Sequence, residues 1–74
     1  MHTPTIYTQP DCHRCRAVSK RFTARGIAHH LVDVSADPDA MARLRAAGFQ
    51  AVPVFDLGDG LTDSMTAALE ITRN

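Results

Sequence analysis

The run from His13 to Arg25 most narrows the folds open to this chain. It holds neither Gly nor Pro, and Thr8-Gln9-Pro10-Asp11 and Gly26 fence it on either side. Within it Cys15, Val18 and Phe22 recur at i, i+3 and i+7, the spacing of one buried helix face. Gly26 stands where a helix C-terminus favours positive φ. The spacing predicts a helix of about three turns that opens at Cys12. Before it Thr3 to Tyr7 is β-prone, and after it Ile27 to Val34 gives a short apolar run that suits a buried strand. Strand, helix and strand in so short a span form a βαβ unit, whose crossover makes the two strands parallel.

The rest of the chain supplies a second helix, a hairpin and a third helix. Asp37-Pro38-Asp39 is a helix start, with Asp as N-cap, Pro at the first helical position and a further acid near the positive end of the dipole. Met41, Leu44 and Arg45 follow until Gly48 closes the helix. Val52-Pro53-Val54-Phe55 reads as a third strand whose proline marks an edge, a strand start or a special peptide bond. Leu57-Gly58-Asp59-Gly60-Leu61 turns it into a short fourth strand. Asp63 or Ser64 caps a last helix with Met65, Ala68, Leu69 and Thr72 on one face. The order βαβαββα describes an α/β fold, a mixed four-stranded sheet flanked by three helices. No linker or repeat interrupts it, so residues 1–74 are expected to form a single domain.

A chain of 74 residues can bury one modest core and has little room for a cofactor pocket. Any chemistry is expected on a loop, with the chain's own side chains and no bound cofactor. Eight Lys plus Arg balance eight Asp plus Glu, which argues against a uniformly basic nucleic-acid binder. The balance is uneven along the chain. Arg14, Arg16, Lys20, Arg21 and Arg25 lie on the first helix, which has no acid, while acids gather at 33–39 and 56–63. Two cysteines cannot make the multi-bridge framework of small secreted proteins, and neither a signal-peptide pattern nor a membrane-length apolar run is present. A reducing cytoplasm is the expected setting, with no membrane or nucleic-acid partner.

Cys12-His13-Arg14-Cys15 is the reactive constellation. Cys12 at a helix start faces unpaired backbone N–H groups and the positive dipole end, which favour thiolate over thiol and lower the pKa from its free value of ~8.5. Cys15, nearly one turn on, sits on the same side and can attack a mixed disulfide formed at Cys12. A C-x-x-C alone is equally half of a zinc site, for which His29 and His30 are the remaining candidate ligands. They are adjacent, so they point to opposite faces of a strand rather than to one ion. The position of the motif, closing the first strand of a βαβ unit, favours redox chemistry over zinc. The bland alternative, two cysteines packed as small hydrophobes, fits poorly on a loop beside Asp11, His13 and Arg14.

These residues resemble a known family. The stretch from Ile6 through Cys15, then Phe22, Gly26-Ile27, Ala47-Gly48-Phe49-Gln50-Ala51-Val52-Pro53-Val54 and Gly58-Asp59, is similar in order and spacing to the NrdH-redoxins, glutaredoxin-like members of the thioredoxin superfamily. The resemblance implies a minimal thioredoxin fold. It also implies a dithiol electron carrier with Cys12 as nucleophile and Cys15 as resolver. Pro53 would be cis and lie against the dithiol, and the backbone of Val52 would pair with the incoming substrate. The implied partners are ribonucleotide reductase or another disulfide-bearing protein as acceptor and thioredoxin reductase as donor, with the redoxin a monomer. With Val52 and Pro53, His13 and Arg14 complete the expected substrate-binding residues.

Departures from the family pattern bear on the reductant. The segment W-S-G-F of these redoxins falls on Thr62-Asp63-Ser64-Met65, where aromatic and glycine are both missing. Glutathione-using glutaredoxins place two glycines at 63 and 64 and a cation at 9, where this chain has Asp63, Ser64 and Gln9. An acid at an anion site repels the tripeptide's carboxylate, so glutathione is the less favoured donor. Cationic His13 and Arg14 favour the Cys12 thiolate and Asp11 on its other side opposes it, unless His13 and Arg14 are only a solvated stretch. Tyr7 is expected beside the active loop, where its hydroxyl could shield the dithiol. A glutathione-dependent glutaredoxin and a non-catalytic binding module of the same fold are the alternatives. The intact C-x-x-C separates the module from an enzyme, since mere docking has no need of the second cysteine at that spacing.

Overall fold

A computed structural model describes residues 3–58 and 60–72. The elements are β1 (Thr5–Thr8), α1 (His13–Ala24), β2 (His30–Asp33), α2 (Pro38–Ala46), β3 (Val54–Asp56), β4 (Leu61–Thr62) and α3 (Met65–Glu70). The strands form one sheet in the order β2-β1-β3-β4, with β1 parallel to β2 and antiparallel to β3, and β3 antiparallel to β4. This is the mixed four-stranded sheet expected from the sequence, in the minimal thioredoxin arrangement that the resemblance implies. Asp59, part of the expected hairpin turn, lies outside the described residues.

Local chemistry fixes the helix ends. The Asp37 carboxylate accepts from Ala40 N–H at 3.1 Å, with Pro38 at the first helical position. Of the two candidate caps for α3 it is Ser64 that serves, its Oγ accepting from Ala67 N–H at 3.0 Å. Gly26 follows α1 with φ of 70°, a region that costs glycine little and other residues more.

Strand alternation then sorts the core into two layers. Ile6 and Phe55, partners across β1 and β3, face Val18 and Phe22 of α1 and Ala68 of α3. Tyr7 and Val54, also partners, face Ala40 and Leu44 of α2 together with Val34. Thus α1 and α3 cover one face of the sheet and α2 the other.

Three sequence expectations need correction. The expected buried strand is an edge strand, exposed or half-buried along its length, and it spans only His30–Asp33. Apolar content gave the strand but not its burial, because α1 packs over Ile6 and Phe55 and leaves β2 largely uncovered. The third strand begins at Val54, with Val52 and Pro53 preceding it. Tyr7 turns away from the dithiol helix into the α2 layer, where its hydroxyl accepts from Arg43 Nη1 at 2.9 Å and its ring lies 5.8 Å beneath the same guanidinium. Arg43 also reaches Asp56 at 3.9 Å.

Candidate active site

The loop between β1 and α1 sets the first cysteine. Asp11 adopts φ of 67°, a left-handed conformation that Asp tolerates better than most residues. Cys12 N–H then closes the turn on the Gln9 carbonyl at 3.3 Å, and Cys12 becomes the N-cap of α1 in extended conformation. Its Sγ accepts from the Cys15 backbone N–H at 3.2 Å. A sulfur thus fills the place where Ser or Asp oxygen usually caps a helix, and the backbone donor that would go unpaired points at it. The first turn of α1 has no acid to oppose negative charge there.

Cys12 and Cys15 are joined as a disulfide, their Cα atoms 5.3 Å apart. The two sulfurs are not equivalent. Cys15 is 1% exposed and packed in the interior, whereas Cys12 is half-buried at the surface. Only Cys12 can be met readily by a large substrate.

His13 and Arg14 begin the helix and are both exposed. Arg16 Nη2 lies 3.0 Å from His13 Nδ1. A guanidinium can only donate, so in this contact Nδ1 is the acceptor. The sequence places Arg16 among the cations of this helix but does not single out its contact with His13, although a spacing of three on a helix is the kind that brings side chains together.

The Val52–Pro53 bond is cis, with Pro53 buried and Val52 half-buried. The register Tyr7↔Val54 puts Pro53 at the end of β1 from which the dithiol loop departs. Val52 and Gln9 of that loop line one cavity of about 170 Å³ on the α2 side, with Met41 and Phe49. The structure thus brings the Val52–Pro53 segment and the dithiol loop to one end of the sheet, while His13 and Arg14 stand on the outer surface of α1.

His29, one of the two candidate zinc ligands, has both ring nitrogens engaged. Nδ1 lies 2.9 Å from the Ile27 carbonyl and Nε2 2.9 Å from Ser19 Oγ, and the ring meets Phe22 edge-on with centroids 5.2 Å apart. A carbonyl only accepts, so Nδ1 carries the proton and donates to it. His30 opens β2 and is exposed. Among the described residues no three His, Cys, Asp or Glu side chains are grouped to hold a metal ion. At the other end of β2, the hydroxyl and backbone N–H of Ser35 both donate to Asp33 and hold its carboxyl below the usual value of 3.8.

The glutaredoxin family pattern matches residues 5–60. The glutaredoxin-like protein NrdH of Salmonella typhimurium is 42% identical over 55 residues, covering 74% of this chain and 68% of that protein. NrdH of Escherichia coli is 40% identical over the same shares. A solved structure of Escherichia coli NrdH-redoxin, a glutaredoxin-like protein described as having a thioredoxin-like activity profile, superposes with a TM-score of 0.76 at 37% identity, covering 81% of this chain and 79% of that one. A thioredoxin-like protein at 24% identity, with a TM-score of 0.78 over 95% of this chain and 99% of its own, shares the fold. Among the described residues no helix is long and apolar enough to cross a membrane.

Proposed function

The chain belongs to the glutaredoxin family as an NrdH-like thiol–disulfide oxidoreductase, and from that premise we propose that it reduces disulfides in proteins and is recycled by thioredoxin reductase. One observation carries the reading. Cys12 is the accessible sulfur at a helix N-terminus with a backbone N–H aimed at it, and Cys15 is the buried sulfur bonded to it.

In the reduced state the Cys12 thiolate attacks one sulfur of the substrate disulfide, forms a mixed disulfide and releases the other substrate sulfur as a thiolate. Cys15, deprotonated in turn, attacks Cys12 Sγ. The substrate's second thiol leaves and the Cys12–Cys15 disulfide is restored. Two electrons pass from the dithiol to the substrate. Val52 offers its backbone to the extended substrate chain, and Pro53 keeps that chain close to the sulfurs. His13 and Arg14 flank the contact. No cofactor beyond the dithiol is invoked.

The physiological acceptor we propose is ribonucleotide reductase, with the protein acting as a monomeric single domain in a reducing cytoplasm. Preference for thioredoxin reductase over glutathione is supported at residues 62–67. There the Thr62 hydroxyl accepts from Ser64 N–H at 3.1 Å and the Ser64 hydroxyl caps α3, so the chain's own oxygens occupy the donors a glutathione carboxylate would use. Asp63 stands exposed between them.

Insulin reduction tests the reading. NADPH oxidation is expected with thioredoxin reductase and to be much slower with glutathione plus glutathione reductase. Comparable rates in the glutathione system would replace the reductant, and inactivity in both would leave a docking module of the same fold.

A further inference from the structure

A shallow groove of about 330 Å³ lies on the α1 side of the sheet, lined by Thr8, Cys15, Arg16, Ser19, Lys20 and Leu31. Strand register explains its floor. Leu31 is the partner of Ile6 and so points to the same face, but it stands on the edge strand beyond the reach of α1. It is 56% exposed, more than any other large apolar side chain among the described residues.

The opposite wall is one flank of α1. Cys15 and Ser19 are one turn apart on it, and Arg16 and Lys20 repeat the same step alongside, so two cations border a groove that begins at the dithiol. The polar groups nearby have partners within the chain, although Asp33 keeps its negative charge at the far end of β2, so the cations set the charge of the α1 wall alone. Ser19 Oγ is bonded to His29, and the carboxylate of Asp33, next along β2 on this face, takes the two donors of Ser35. No carboxylate among the described residues pairs with Arg16 or Lys20. Among the described residues no strand lies beside the outer edge of β2.

An apolar floor, a cationic rim and a free strand edge match an extended chain that carries one apolar side chain and acidic neighbours. We propose that this groove docks an acidic segment with an apolar anchor, flanking the disulfide of a protein substrate. The proposal rests on the dithiol reading above and deepens it. It gives the substrate a second contact on the sheet face opposite the Val52 cavity.

Two synthetic peptides, each closed by one disulfide, test it. One carries Leu with Asp and Glu, the other the same Leu with Lys in place of the acids, and neutral bis(2-hydroxyethyl) disulfide reports the chemistry alone. Reduced protein is expected to be oxidised about tenfold faster by the acidic peptide at low salt, with the difference shrinking as ionic strength rises. Leu31→Ser and Lys20→Glu, each verified as folded by its amide spectrum, are expected to remove most of that advantage and to leave the rate with the neutral disulfide unchanged. Equal rates for the two peptides, or an undiminished advantage in both variants, would overturn the proposal. So would a concentration-dependent dimer abolished by Leu31→Ser, which would assign the groove to a second copy. A wild-type protein inert toward the neutral disulfide would defeat the dithiol reading itself.

Discussion

Cys12 and Cys15 carry the same side chain and differ only in where the helix puts them. At the N-cap, Cys12 meets the Cys15 N–H and the positive end of the α1 dipole; one turn in, Cys15 is sealed among core side chains. The reduced Cys12 thiol is therefore expected to ionise more readily than a free thiol, which titrates at ~8.5. Ultraviolet titration of the thiolate in Cys15→Ser measures this. Because the His13 ring is engaged with Arg16, His13→Gln is expected to leave that titration where it was. A rise would restore His13 as a charge beside the sulfur. Asp33 offers a second residue-scale test. Its carboxyl is held low, first by the Ser35 hydroxyl and then by the Ser35 N–H, so the contact stabilises the fold above the ordinary aspartate range and is lost as pH falls through the lowered value. In Ser35→Ala the Asp33 carboxyl carbon, followed by NMR, is expected to titrate closer to 3.8. Both cysteines could be read from the sequence, because a helix start and a spacing of three are local facts. The contact between His13 and Arg16 could not, since it depends on where the Arg16 guanidinium is directed.

Helix boundaries were readable for the same reason. Asp37-Pro38 and Gly48 bracket α2 and Gly26 ends α1, each through a side chain or a φ preference belonging to the position itself. Removing either cap, Asp37→Ala or Ser64→Ala, is expected to cost about 1 kcal/mol in denaturant unfolding. An unchanged midpoint would mean that the caps contribute nothing beyond what solvent supplies. Strand burial was not readable in this way. Ile27 to Val34 has the composition of an interior strand, yet β2 is an edge, because burial depends on what packs over a strand and not on its own residues. Tyr7 failed similarly. Its hydroxyl partner, Arg43, lies 36 residues away, and only the α2 crossover brings the two together.

The molecule as a whole is two thin layers on a small sheet, and few side chains hold each layer. Phe22, fully buried against Ile6, Val18, Phe55 and Ala68, anchors the layer that carries the dithiol helix. Phe22→Ala is expected to cost about 3–5 kcal/mol, a large part of the total stability of so small a domain, and calorimetry should show a sharply lowered melting temperature. A near-normal melting temperature would mean that the core rests elsewhere. The same layering separates two surfaces that adjoin the dithiol, the Val52 cavity on the α2 side and the Leu31 groove on the α1 side. Net neutrality in the sequence conceals this polarity, although the acid-free first helix already hinted at it. The division of labour between the sulfurs is the central claim, and intact-mass analysis after challenge with a protein disulfide tests it most directly. Cys15→Ser is predicted to accumulate a stable mixed disulfide on Cys12, and Cys12→Ser to form none under the same conditions. Equal trapping on Cys15 in Cys12→Ser, or no adduct in Cys15→Ser, would contradict the account.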